Sequence, residues 1–204
     1  TISLIYETPG VKTTEIVIVG VGYKVDTDRM KALAQWAAWR TRDFTPVHRD
    51  GTEKFWRERL AKLPGGGQLD IQTGGARQFL QALQEEIIPF VGLNYRVSSM
   101  DRGLAGYSDG GLFALYALFH APEVFKKYFA GSPSMWKELF EYEQNYASMH
   151  KDLEARLFMT MGSHETELLE PIQRMADRLR ERGYPRLEVL THIFEGEGHA
   201  SAYA

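Results

Sequence analysis

The 204-residue chain contains no cysteine. That excludes a disulfide framework, cysteine catalysis and thiolate metal sites, while leaving the compartment open. No apolar run approaches the ~18 residues that a membrane-spanning helix needs. There is no basic excess either: 24 Lys and Arg against 27 Asp and Glu give a net charge of −3, which argues against a nucleic-acid or anionic-membrane partner. The metal motifs H-E-x-x-H and H-x-x-E-H do not occur. Gly20-Val-Gly22 does not extend into a dinucleotide fingerprint, and Gly65-Gly-Gly67 is not followed by the lysine and hydroxyl of a phosphate loop. No metal and no cofactor is therefore expected. No charged-then-apolar leader follows Thr1, so no signal peptide is visible and a cytoplasmic location is the default expectation. With 44% hydrophobic and 25% charged residues, the chain has the make-up of a globular protein. Its length and its lack of repeats or composition shifts predict one domain over 1–204.

Hydropathy patterning then orders the elements. Glu15-Ile-Val-Ile-Val-Gly20 is a β-branched run that reads as a buried strand. Residues 51–75, charged and glycine-rich, read as a long surface excursion. Over 76–91 the apolar residues Phe79, Leu80, Leu83, Ile87 and Ile88 recur at three- and four-residue steps, which predicts an amphipathic helix. Short strands are expected at 103–106, 128–131, 155–161 and 186–194. An all-apolar helix is expected over 111–120, and a second amphipathic helix over 165–182 with Gly183 as its stop. Strands alternating with helices imply an α/β fold, a mostly parallel sheet with helices on both faces.

Gly106-Tyr107-Ser108-Asp109-Gly110 carries the chemistry. G-x-S-x-G alone is a weak signal, but between a strand and a buried helix it fits a nucleophile elbow, whose serine is held strained at the strand tip with its Oγ over the sheet. The flanking glycines are expected because side chains there would collide, and Gly111 adds a further close approach. A serine needs a base. In this architecture the acid and the histidine follow in that order. His192 falls within the last strand, His150 in a charged helical stretch, and His164 reads as a bystander. His199, in the glycine-flanked loop after the last strand, is the expected base. The acid should follow the preceding strand: Glu165 is the first choice and Glu167 the second, although acidic residues also favour any helix N-terminus. The plain alternatives are a connecting Gly-Ser turn and a solvated loop histidine.

The chain resembles the putative-esterase family of α/β-hydrolases, in its enterochelin-esterase-like branch. The blocks that carry the resemblance are Ile16-Val-Ile-Val-Gly-Val-Gly-Tyr23, Arg42-Asp-Phe-Thr-Pro46, Phe79 to Phe90, Gly106-Tyr-Ser-Asp-Gly-Gly-Leu-Phe113, Gly131-Ser-Pro-Ser-Met-Trp136 and Gly196 to His199. The resemblance implies an α/β-hydrolase fold without its N-terminal strands and C-terminal helix in this chain, which is expected to be incomplete at both ends. It implies a Ser108–Glu165–His199 triad cleaving small-molecule carboxylic esters, among them siderophore, aryl or short-chain acyl esters. One oxyanion donor would be the backbone N–H of Asp109; the other would lie before residue 1, ahead of a helix over Thr1–Gly10. Asp109 departs from the family, which usually has an uncharged residue there. Its carboxylate would oppose an oxyanion and is expected to point away. Tyr23, Phe44, Tyr107 and Trp136 are candidate aromatic contacts for substrate, and Arg40 and Arg42 candidate anion contacts; core packing and surface ion pairs are the bland alternatives. A non-catalytic scaffold that kept the fold is the second functional class, and the oligomeric state is left open.

Overall fold

The computed structural model describes residues 16–202. Its centre is a four-stranded parallel sheet in the order β1 (Gly103–Tyr107), β2 (Lys127–Gly131), β3 (Ala155–Gly162), β4 (Leu187–Phe194). Successive strands are joined by helices, as parallel pairing requires.

The helices follow the sequence signals closely. α1 (Arg29–Phe44) starts where the Asp28 carboxylate accepts the N–H groups of Met30 and Lys31 at 3.0 and 2.9 Å. It ends before Thr45-Pro46, because a residue ahead of proline is pushed to extended backbone. The amphipathic stretch at 76–91 is helical but not uniform. α3 (Ala76–Ala82) passes through a wide turn at Leu83–Ile87, where the Ile88 N–H bonds the Leu83 carbonyl, into α4 (Ile88–Asn94). Pro89, with no N–H to offer, accounts for the break in the regular ladder just there. α5 (Asp109–His120) is buried from Gly110 to Phe119, as its all-apolar sequence demands. α6 (Glu138–Met149) follows β2, and α7 (Thr166–Glu181) buries Ile172, Met175, Ala176 and Leu179. Gly183, at φ 65°, stops α7 as expected.

Two expectations need correction. The run from Ile16 to Gly20 is extended and largely exposed, and among the described residues no strand pairs with it. A strand needs a neighbour to bond, and this one lies instead along Ile87, Phe90, Val91 and Tyr95. Residue 15 and the helix expected over Thr1–Gly10 lie outside the described residues. The 51–75 excursion is also more ordered than its glycines imply. It contains α2 (Asp50–Leu60) and a short 3₁₀ turn, anchored by Leu60 and Ile71 against Ala34, Ala37 and Ala38 of α1.

The sheet's two faces differ. Leu104, Tyr128, Leu157 and Val189 align across the strands and pack into the main core with α5 and α7. On the other face Ala105, Phe129, Phe158 and Leu190 align, and Phe158 and Leu190 are 38% and 53% exposed. Among the described residues no helix is long and apolar enough to cross a membrane.

Candidate active site

The C-terminal ends of the four strands converge on one rim. Each hands the chain to one polar side chain: Ser108 after β1, Ser132 after β2, Glu165 after β3 and His199 beyond β4. Open α/β sheets bind ligands at this edge.

Ser108 has φ 60° and ψ −119°, a conformation L residues avoid. Its N–H donates to the Gly131 carbonyl at 2.8 Å, and its own carbonyl accepts the N–H groups of Leu112 and Ser134 at 3.0 and 3.1 Å. A Cβ on Gly106 would lie 2.0 Å from the Gly110 carbonyl oxygen, so glycine is obligatory there. The expected collision at Gly110 is not found: a Cβ there would meet only the Phe44 ring at 3.8 Å. The constraint sits on the strand side of the elbow, where Gly106 faces backbone. Gly111 is tight, with Pro133 Cβ at 2.9 Å from its would-be Cβ.

Glu165 occupies the turn before α7, its N–H bonded to the Gly162 carbonyl at 3.0 Å. Its side chain turns inward rather than serving the helix N-terminus. One carboxylate oxygen accepts the Ser132 hydroxyl at 2.6 Å and the Gly162 N–H at 2.7 Å; the other bonds Nδ1 of His199 at 2.5 Å. Burial pushes its carboxyl upward, but the bonds from Ser132, Gly162 and His199 outweigh that and hold it below the ordinary carboxylate range. Glu167, the second choice, is exposed. So is His164, whose backbone N–H bonds the Glu197 carbonyl at 3.0 Å.

The His199 loop approaches β3 so closely that a Cβ on Gly162 would lie 2.3 Å from the Glu197 carbonyl oxygen. Tyr107, the residue before the serine, donates its hydroxyl proton to the His199 carbonyl at 2.7 Å or to Ser132 Oγ at 2.8 Å, and its ring lies 5.2 Å from the imidazole. The bond to Glu165 runs through Nδ1 and leaves Nε2 outside that pair. Among the described residues no hydrogen bond joins Ser108 to His199 directly; Tyr107 ties the two segments together.

Asp109 has both carboxylate oxygens engaged: one pairs with Arg40 Nη1 at 3.0 Å and the other accepts the Ser134 hydroxyl at 2.7 Å. Its N–H opens α5, where the helix dipole favours negative charge. The second oxyanion donor implied by the resemblance lies outside the described residues.

The other candidate contacts are largely engaged elsewhere. Arg42 grips Asp43 at 2.6 and 3.0 Å. Tyr23 lies against Trp39, and burial together with nearby Asp43 pushes its phenol well above the usual range. Phe44 packs at a tilt against the rings of Phe79 and Phe113, which is core packing. Trp136 lies under the Arg49 guanidinium at 4.0 Å. Among the described residues none of Tyr23, Arg42 and Trp136 hydrogen-bonds to Ser108, Glu165 or His199. Sequence reasoning missed Ser132. Its position at the end of a predicted strand on the same rim was the available signal, and its φ of 37° marks it as strained. One His–carboxylate group, His48 with Asp50 and Glu53, has metal-like spacing. Both ring nitrogens of His48 already lie 2.9 Å from a carboxylate oxygen, so it is self-paired.

Residues 70–188 match the family model described as "Putative esterase". Over 196 residues the chain is 30% identical to the ferri-bacillibactin esterase BesA of Bacillus subtilis (strain 168), covering 91% of this chain and 62% of that protein. The fold superposes on the BES protein from Bacillus cereus with a TM-score of 0.66 and 30% identity, over 81% of this chain and 59% of that one. It superposes on the siderophore hydrolase EstA from Aspergillus nidulans with a TM-score of 0.65 and 26% identity, over 81% and 62%. The chain thus spans about six tenths of the length of these relatives.

Proposed function

The chain belongs to the putative-esterase family, and from that premise we propose that it is a serine carboxylic ester hydrolase whose triad is Ser108, Glu165 and His199. The observation that carries this reading is the 2.5 Å bond between a buried Glu165 and the imidazole of His199, on the same rim as a serine held at positive φ. With Nδ1 committed to Glu165, Nε2 accepts the Ser108 proton as Oγ attacks the ester carbonyl. Glu165 stabilises the resulting imidazolium, and the Asp109 N–H at the start of α5 faces the oxyanion. His199 returns the proton to the departing alkoxide, leaving an acyl-serine. Water, deprotonated in turn by His199, attacks the acyl carbon; the acyl–Oγ bond breaks, His199 gives its proton to Ser108 Oγ and the acid is released. Tyr23, Arg42, Tyr107 and Trp136 remain the proposed substrate contacts.

The substrate class proposed is a siderophore ester, because the matched relatives bear the names of siderophore esterases and hydrolases. Exchange of Ser108 for alanine is expected to abolish p-nitrophenyl acetate turnover, and a panel of catecholate, aryl and short-chain acyl esters then ranks substrates by kcat/KM. Unchanged turnover in S108A would refute the triad. The second reading, a non-catalytic scaffold, draws on the missing direct Ser108–His199 bond. Covalent labelling of Ser108 by a fluorophosphonate excludes it, since only an activated serine reacts.

A further inference from the structure

The residue whose N–H faces the proposed oxyanion bears a negative charge of its own. A carboxylate so close to developing negative charge raises the barrier unless something cancels it, and in a partly buried site solvent screens it poorly. The structure supplies the cancellation from a distant part of the sequence. The Arg40 side chain, 13% exposed, pairs through Nη1 with Asp109, and its Nη2 donates to the Tyr107 carbonyl at 3.2 Å. One guanidinium therefore holds the residues on either side of Ser108. The Trp36 and Phe44 rings hold the guanidinium in turn, with centroids at 5.3 and 5.7 Å. Ser134 completes the Asp109 carboxylate's bonding.

Resting on the hydrolase reading above, we infer that Arg40 is a positioning residue that neutralises the Asp109 carboxylate and holds it off the oxyanion position. Its significance lies in charge rather than in space-filling, and this separates the outcomes. In Arg40→Met the volume is kept and the charge removed. The kcat for p-nitrophenyl acetate should fall about thirtyfold while KM stays within about twofold, because an unbalanced carboxylate opposes the transition state more than the neutral ester. Adding D109N to that background should restore kcat to within about threefold of the parent, since the charge that needed cancelling is gone. Arg40→Lys, which keeps the charge but not the fork, should retain kcat to within about fivefold and keeps the question decidable if R40M folds poorly by circular dichroism. Three results would overturn the inference: R40M at parental kcat, R40M impaired with no recovery in R40M/D109N, or R40K as impaired as R40M. Fluorophosphonate labelling of the parent protein in the same series distinguishes the levels. A parent that is not labelled at Ser108 overturns the hydrolase reading and this inference together. A labelled parent with any of the three results overturns the role of Arg40 alone.

Discussion

Glu165 is only 5% exposed at its side chain, whereas its partner His199 is 50% exposed, and the acid's ionisation is set by neighbours more than by water. Its carboxyl sits below the ordinary value of 4.5 because three donors favour the charged form over the cost of burial. A lowered folded-state pKa contributes stability that is present above the unfolded value and is lost as pH falls through the folded one. Thermal melts of the parent and of Glu165→Gln should therefore differ most at neutral pH and converge as the pH drops below about 4.5. A constant gap across that range would mean the bonds from Ser132, Gly162 and His199 do not act on the charge. The placing of Ser108, Glu165 and His199 on one rim was legible because each follows a strand. The choice between Glu165 and Glu167 was not, since two residues apart in a turn the sequence says nothing about which points inward. Ser132 was hidden for a similar reason: a serine after glycine reads as turn chemistry until the sheet brings it beside the acid.

At the level of elements, strands and helices were legible wherever burial on one side imposes a period. α5 and α7 come out within a residue or two of their expected ends, and β2, β3 and β4 close to theirs. What failed was the run after residue 15, whose composition is that of a strand but whose pairing depends on a neighbour that the sequence of the run cannot specify. The elbow also proved asymmetric. Gly106→Ala should destabilise by about 3 kcal/mol or more, because the new methyl meets the Gly110 backbone, which cannot move without unwinding α5. Gly110→Ala should be neutral or stabilising by up to about 1 kcal/mol, since it meets only a ring at contact distance and gains helix propensity. Urea unfolding of the two variants decides the matter; equal losses would contradict the geometry.

Among the described residues, the sheet has one face packed into the main core and one that stays partly exposed. Single apolar residues on a surface are ordinary, but Phe129, Phe158 and Leu190 adjoin across three strands, and a contiguous patch of that kind binds other apolar matter. Leu190→Lys should lower both the fluorescence of a hydrophobic dye bound to the chain and its concentration-dependent light scattering, with the melting temperature little changed; undiminished dye binding would show that the face is not what the dye sees. The pairing of Arg40 with Asp109 spans 69 positions, and no local pattern announces it. The Tyr107 hydroxyl adds a mechanical corollary. Because it bonds the carbonyl of His199 itself, a displacement of the loop that carries the imidazole pulls on the residue preceding the nucleophile.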